Sequence, residues 1–355
     1  VTIPYKKAVI PYCDVLSDEA KCIGSVNTVI KLPDGRLKGF NTDYSGFIAM
    51  IKKHRIPVGR KAVILGDGGV APTVHAALEY LGTDEIIRIS RNGENNYVNL
   101  NRHFDADIIV NATPVGMYPD NMQSLLDPAD FKQCRGIVDL VYNPLRTKLV
   151  VDGEALGVRS CGGLYMLVAQ AARAVELFTG SEIPEERIDE VYITLLHSVQ
   201  SIALIGMPGC GKTSTAKALS ELCRREVLDC DEEIIKRVGM SIPDYFDRYG
   251  VAAFRDIETE VLEKLTKKSG VIIATGGGVV MRSKNYELLR QNSAIVFLDR
   301  EIDGLPTDGR PISQTHSLKQ LADMRMPIYK KWCDKKIKAS SPEEAAMMIK
   351  EYYKL

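Results

Sequence analysis

The octapeptide Gly206-Met-Pro-Gly-Cys-Gly-Lys-Thr213 constrains this chain more than any other stretch. It fits G-x-x-x-x-G-K-[ST] and lies between an apolar, strand-like run, SIALIG (201–206), and a helical pattern from Ser214 to Cys223. The motif requires that context, because its glycines turn successive backbone N–H groups inward around phosphate oxygens. Lys212 can then reach the β- and γ-phosphates and Thr213 can ligate Mg²⁺. Gly206, Gly209, Cys210, Gly211 and Ser214 make up the rest of the expected cradle for ATP.

The remainder of the chain reads as α/β. From Lys61, short apolar runs alternate with helical segments: KAVIL (61–65), EIIRIS (85–90), DIIVNA (107–112) and GIVDLV (136–141), with a helix from Val70 to Leu81. Strands interleaved with helices predict a doubly wound parallel sheet. Leu164 to Thr179 reads as a helix stopped by Gly180, and a second helix starts near Pro184 and runs to about Ser198. Beyond the junction near Val199, which has no Gly/Ser-rich linker, a second α/β unit begins.

Composition limits the partners. The 355 residues suggest two or three domains, and the 46 Lys plus Arg balance the 46 Asp plus Glu. No basic excess points to nucleic acid or an anionic membrane, and no apolar run approaches the roughly 20 residues that span a bilayer. The eight cysteines form no C-x-x-C pair and the five histidines have no metal spacing, which fits reduced thiols and a cytoplasmic location. Small-molecule substrates are therefore expected; the oligomeric state is not legible.

After the strand KAVIL, Gly66-Asp-Gly-Gly-Val-Ala71 fits G-x-G-x-x-[GA] through Gly66, Gly68 and Ala71, with Gly69 beside them. The second strand ends in Ser90-Arg91-Asn92 rather than in an acidic residue. Arg91 and Asn92 suit a ribose 2′-phosphate, so NADP(H) is the expected dinucleotide, although an arginine there can also be a plain surface charge. Asp67 stands out, since a carboxylate beside a pyrophosphate repels it.

Further motifs follow the phosphate loop. Asp229-Cys230-Asp231 sits where EVLDCD should end a strand, and two carboxylates two apart on a strand point the same way. One can act near Mg²⁺ and the other can hold an acceptor hydroxyl. FRDIE (254–258), ATGGG (274–278), DGRP (308–311) and Arg325-Met-Pro-Ile-Tyr329 come next. Singly these are weak: the arginines read as surface charges, the aspartates as turn or cap residues, the glycines as a loop.

In order, GMPGCGKTS, LDCDEEI, FRDIE, ATGGGVV and DGRPI resemble the shikimate kinases over residues 201–355. The resemblance implies that Asp231 binds substrate hydroxyls, Asp229 lies near the metal, and Arg255 and Arg325 clamp the substrate carboxylate. It implies that Gly277 and Gly278 let the ring lie on backbone and that Arg310 is the lid arginine reaching the transferring phosphoryl group. The lid segment REIDGLPTD is shorter than usual for that family.

The front half resembles the shikimate dehydrogenases through VTIPYK, GSVNTV, GFNTDYSGF, NATPVGM, DLVYNPLRT and GGLYMLVAQ. The resemblance implies that Lys6 and Asp43 are the catalytic pair and that Asn27, Tyr142 and Gln170 bind substrate. Thr113, Met117 and Gly163 are implied along the nicotinamide side. The expected domains are a Rossmann-type NADP domain (45–161), a discontinuous substrate domain (1–44 with 162–198) and a P-loop kinase domain (200–355). The family's front segment is not matched and Val1 opens inside an expected strand, so the substrate domain is expected to be N-terminally truncated in this sequence. The expected function is bifunctional: reduction of 3-dehydroshikimate, then phosphorylation of shikimate. The alternative is an active kinase behind a quinate-type or inactive ligand-binding front half.

Overall fold

The computed structural model describes residues 1–2, 4–301 and 318–355. The chain divides into two compact units, Val1–Thr194 and Leu195–Leu355.

In the first unit, five parallel strands form a sheet: β4 (Lys61–Leu65), β5 (Glu85–Ile89), β6 (Ile108–Asn111), β7 (Gly136–Asp139) and β8 (Arg159–Cys161), in the order β5-β4-β6-β7-β8. Parallel strands covered on both faces read as unbroken apolar runs. Ile64 accordingly packs on one face with Val110 and Val138 beneath α2 (Thr42–His54), α3 (Ala71–Tyr80) and α5 (Leu164–Thr179). Its neighbours Val63 and Leu65 pack on the other face with Ile89, Ile109, Ile137 and, from α4 (Lys148–Ala155), Leu149. A smaller sheet lies upstream: β1 (Val15–Leu16), β2 (Thr28–Lys31) and β3 (Leu37–Phe40), in the order β1-β3-β2, with α1 (Asp18–Ile23) between its first two strands.

Two details position the site. A Cβ on Gly46 of α2 would come 2.8 Å from Gln170 Cβ, so only glycine lets α2 and α5 cross this closely. The boundary expected at 44/45 falls inside α2, which is one continuous helix. Gly180 ends α5 in the left-handed region (φ 69°), where glycine has no Cβ penalty, and α6 (Glu185–Val199) follows.

The second unit has its own parallel sheet: β9 (Ser201–Ile205), β10 (Val227–Asp229), β11 (Ile272–Ala274), β12 (Ser293–Leu298) and β13 (Lys335–Ile337), in the order β10-β11-β9-β12-β13. Among the described residues its helices are α7 (Lys212–Cys223), α8 (Cys230–Val238), α9 (Ile242–Leu265), α10 (Ser283–Asn292), α11 (Leu318–Trp332) and α12 (Pro342–Tyr353). Ile202, Leu204 and Val296 form a core with Ala216 and Leu219 of α7 and Ala346 and Ile349 of α12. Gly250 (φ 78°) kinks α9 and separates its first two turns from the segment carrying Arg255 and Glu258.

One expectation is corrected. Asp229 and Asp231 do not share a strand face. Asp229 ends β10 and caps α8, its side chain accepting from the N–H groups of Asp231 and Glu232, and Asp231 is in the first helical turn. A carboxylate at the N-cap, followed by Asp231, Glu232 and Glu233 near the positive end of the helix dipole, favours ending the strand there.

Candidate active sites

The first unit contains a cleft of about 730 Å³ that gathers Lys6, Asn27, Asp43, Tyr142, Gly163 and Gln170, with Thr28, Leu140 and Met166 between them. These residues come from five separate stretches of chain. Lys6 Nζ donates to Asp43 Oδ2 at 2.5 Å, and both side chains are largely shielded (17% and 13% exposed). Asp43 is placed by Asn41, the N-cap of α2, whose side chain accepts from Tyr44 N. Asn27 also holds this end of the helix, since its Oδ1 accepts from Thr42 N at 2.9 Å and from Thr28 Oγ1 at 3.0 Å. Thr42 Oγ1 lies 3.3 Å from Gln170 Oε1 and joins α5 to the same network. A short, shielded ammonium–carboxylate pair beside convergent amide and hydroxyl groups can grip a polyol and move a proton.

Beside the cleft, the glycine loop follows β4. Gly66 is left-handed (φ 99°), and a Cβ there would meet Thr113 Cγ2 at 2.6 Å. Gly68 and Gly69 face open space, so a ligand can approach their backbone. Ala71 is fully buried as the first residue of α3 and packs helix against sheet rather than touching a ligand. Gly163 lies so close to Leu140 O (2.2 Å from a built Cβ) that no side chain fits. Gly66 N donates to Ile89 O at 2.8 Å, which sets the loop against the end of β5, where Arg91 and Asn92 are exposed. Asp67 is paired with Arg88 Nη1 at 3.0 Å, so the expected repulsion of a pyrophosphate is offset locally. Thr113 is tied to Asn111 Oδ1 through its N–H and hydroxyl; Met117 is exposed; neither lines the cleft.

In the second unit, Gly206 (φ 150°), Gly209 (φ 83°) and Gly211 (φ 92°) bend the loop between β9 and α7. Lys212 is buried and donates to Gly206 O and Met207 O, both at 3.0 Å. Thr213 Oγ1 donates to Asp229 Oδ2 at 2.6 Å, and Ser214 is exposed one residue on. A hydroxyl and a carboxylate side by side are the hard oxygen donors Mg²⁺ takes alongside phosphate oxygens. Among the described residues, no group of three or more His, Cys, Asp or Glu could hold a metal by itself. Cys210 lies in the loop with its thiol buried, 3.8 Å from Lys212 Nζ, and its N–H is already bonded to Met207 O.

Next to this loop, Gly276–Gly278 is surrounded by charge. A Cβ on Gly276 would come 3.0 Å from both Asp231 Oδ1 and Glu258 Oε1. On Gly277 it would strike Pro208 (2.7 Å), and on Gly278 the Arg255 guanidinium (2.0 Å). Gly277 and Gly278 thus make room for Pro208 and Arg255 rather than for an open ring surface. Arg255 Nη1 donates to Glu258 Oε2 at 2.6 Å, and Arg325 Nη1 to Gly277 O at 3.2 Å. The Tyr329 hydroxyl also donates to Gly277 O. Arg325 Nε and Glu258 Oε1 are both buried with no partner among the described residues. Burial raises the Glu258 carboxyl and lowers the Arg325 guanidinium, in each case by penalising the charged form. An orphaned donor and an orphaned acceptor around one loop suit a ligand bearing a carboxylate and a hydroxyl. The implied lid residue Arg310 lies outside the described residues, as does most of the segment REIDGLPTD.

Several groups here escaped the sequence reading. Glu258 sits three residues after Arg255, on the same helix face, inside a motif already noted. Arg88 and Thr42 carried no local signal. Nor did the buried carboxylate Asp139, which accepts from Asn111 Nδ2, Thr147 Oγ1 and Val141 N and so ties together the loops after β6 and β7. Burial pushes the Asp139 carboxyl up to about 6.

These sites define an α/β chain of two enzyme-type units: a dinucleotide-fold oxidoreductase type in front and a phosphate-loop kinase type behind. The family model described as "Shikimate kinase" matches residues 208–354. Those described as "Shikimate dehydrogenase substrate binding domain" and "Shikimate 5'-dehydrogenase C-terminal domain" match 1–29 and 163–191. A shikimate dehydrogenase (NADP(+)) of Methanopyrus kandleri is 39% identical over 218 residues, 54% of this chain and 75% of that protein. One from Clostridium perfringens is 34% identical over 206 residues, 54% of this chain and 76% of that protein. Among solved structures, a chorismate mutase/shikimate 5-dehydrogenase fusion protein from Clostridium acetobutylicum is 36% identical, with TM-score 0.52 over 55% of this chain and 75% of that one. The chain belongs to the shikimate dehydrogenase family and continues into a shikimate kinase domain.

Proposed function

We propose that this chain catalyses two consecutive reactions: NADPH-dependent reduction of 3-dehydroshikimate to shikimate, and ATP-dependent phosphorylation of shikimate. The observation that carries this reading is that each unit pairs a nucleotide-type glycine loop with a separate cluster suited to one hydroxylated ring acid.

In the front unit, bound NADPH supplies the hydride. Gly66, Gly68 and Gly69 give its pyrophosphate close access to backbone, and Arg91 and Asn92 face its 2′-phosphate. Lys6 donates a proton to the substrate carbonyl oxygen, while Asp43 holds the ammonium in place. Asn27, Tyr142 and Gln170, which line the cleft, hold the ring. Gly163 keeps the approach to Leu140 free of side chain.

In the rear unit, MgATP supplies the phosphoryl group. The loop 206–213 cradles its phosphates, Lys212 turns from its loop carbonyls toward them, and Thr213 with Asp229 holds Mg²⁺. Arg255 and Arg325 receive the carboxylate of shikimate as planar forks. Asp231 and Glu258 accept from its ring hydroxyls, Asp231 aligning the one that attacks. This reading leaves neither orphaned atom unpaired.

Two assays on the same preparation test the proposal: NADPH oxidation with 3-dehydroshikimate, and ADP release with shikimate. Both activities are expected. Failure of either refutes the assignment for that unit, and faster turnover on quinate than on shikimate would replace the front unit's substrate.

A further inference from the structure

The stretch after β5 is more than a carrier for Arg91 and Asn92. Five asparagines fall within ten residues, and the structure uses three of them as internal fasteners. Asn96 N donates to Asn99 Oδ1 (2.8 Å), and Asn99 Nδ2 returns to Glu94 O (2.8 Å). Asn96 Nδ2 donates to Gly93 O (3.1 Å). The third fastener, Asn95, works at the base. Its backbone carbonyl accepts from Ser90 N at 3.1 Å, closing the loop immediately around Arg91 and Asn92. Its side chain Oδ1 lies 3.0 Å from Nε2 of His103. An amide oxygen cannot donate, so the ring carries its proton on Nε2.

His103 is 8% exposed, and its other nitrogen is buried without a partner among the described residues. Burial lowers its pKa, with Lys61 adding to the effect, so the ring is neutral and has one donor to give. That donor goes to Asn95. Gly93 completes the packing, because a Cβ there would come 2.5 Å from Ser90 Oγ and 3.3 Å from Asn95 O. Arg91, Asn92 and Glu94 are left exposed on a knot pinned from beneath, with Arg91 and Asn92 at its head.

We propose that His103 and Asn95 are positioning residues for cofactor selectivity: their contact fixes the loop 90–95 so that Arg91 and Asn92 meet the ribose 2′-phosphate without prior reordering. This rests on the reading of Arg91 as the 2′-phosphate residue. A long arginine on an unpinned loop must be ordered at binding, and preorganisation removes that entropic penalty. NAD⁺ lacks the 2′-phosphate and should not sense the pin.

The test is calorimetric titration of NADP⁺ and NAD⁺ into the full chain and three variants. Asn95→Ala is expected to bind NADP⁺ about tenfold more weakly, the scale of one hydrogen bond whose buried donor is left unpaired, with NAD⁺ affinity unchanged. His103→Gln, which can place an amide N–H near the lost Nε2–H, is expected to keep NADP⁺ affinity within about twofold. Arg91→Ala is expected to erase the preference for NADP⁺. If Asn95→Ala binds NADP⁺ like the parent, or weakens both dinucleotides equally, the proposal is overturned. If Arg91→Ala keeps the preference, the reading beneath it falls, and this one with it.

Discussion

The two glycine loops occupy equivalent places, each leaving an interior strand of a five-stranded parallel sheet, yet they are built differently. The rear loop has three glycines at positive φ and a lysine already bonded to its own carbonyls. It is a prefolded nest, and its anion recognition is contained in one octapeptide. The front loop has positive φ only at Gly66, and its next two glycines face open space. It offers access rather than a cradle, and in the proposed reading the charge that completes it comes from the following loop, through Arg91, with Arg88 offsetting Asp67. Recognition concentrated in one segment should fail sharply when that segment is changed. Recognition spread over several should fail by degrees.

The largest expected effect follows from the concentrated case. Lys212→Ala should lower phosphorylation of shikimate roughly 10³-fold while NADPH oxidation stays within about twofold of the parent. Steady-state assays of both reactions on one preparation measure this. A loss of only a few-fold would mean that the loop does not depend on its lysine. Lys6→Ala makes the reciprocal comparison. Removing a positioned proton donor should lower reduction by roughly 10²-fold or more and leave phosphorylation intact. Parallel loss of both activities in either variant would break the claim of two independent sites.

How much could be read beforehand also differs between the regions. KAVIL, EIIRIS and SIALIG predict β4, β5 and β9 to within a residue: β4 and β9 because buried parallel strands are unbroken apolar runs, and the edge strand β5 because its isoleucines are closed by polar punctuation. The helix from Leu164 to Thr179 was equally legible from its stop at Gly180. The rear loop was legible because its chemistry is local. The front cleft was not: Lys6 and Asp43 are 37 residues apart, and only the family resemblance joined them. EVLDCD misled because its first residues carry a strand pattern while Asp229 obeys a helix-cap rule, and the cap decides. Arg88 and Asp139 stayed hidden because the partner of a charge is a tertiary fact; Glu258 has a local partner in Arg255, and only the depth of its burial is tertiary. Asp139 meets Asn111 across 28 residues of chain, which no local pattern encodes.

Asp139 sharpens the comparison further, since the front unit ties two loops to one buried carboxylate, whereas in the rear unit Lys212, Arg325 and Tyr329 hold loop carbonyls. Its pKa is raised to about 6 in the folded state against an unfolded value near 3.8. The folded state therefore binds the extra proton, and the stability this group contributes is full below pH 3.8 and lost as pH rises through 6. The loss is about 2 kcal/mol between pH 4 and 7. Hydrogen exchange of β6 and β7 amides, corrected for intrinsic rates, should show this slope in the parent and a flatter one in Asp139→Asn. Equal slopes would show that the carboxylate does not titrate there.

The smallest expected effect tests whether the front loop is assembled from its neighbours' charges. Asp67 and Arg88 are about half exposed (53% and 42%), so the pair itself contributes little to stability. Its significance lies in charge placement. Asp67→Asn removes the one anion on the loop and leaves Arg88 without that partner. NADP⁺ should then bind roughly two- to fivefold more tightly at low salt, the scale of one exposed charge pair. The gain should disappear at about 0.5 M salt, where the Debye length is shorter than the separations involved. The rear unit supplies the contrast, because residues 206–213 themselves include no carboxylate and the loop's lysine is buried. A salt-independent gain for Asp67→Asn would instead mean that Asp67 obstructs the cofactor sterically. No gain at all would mean that Arg88 neutralises it fully where it stands.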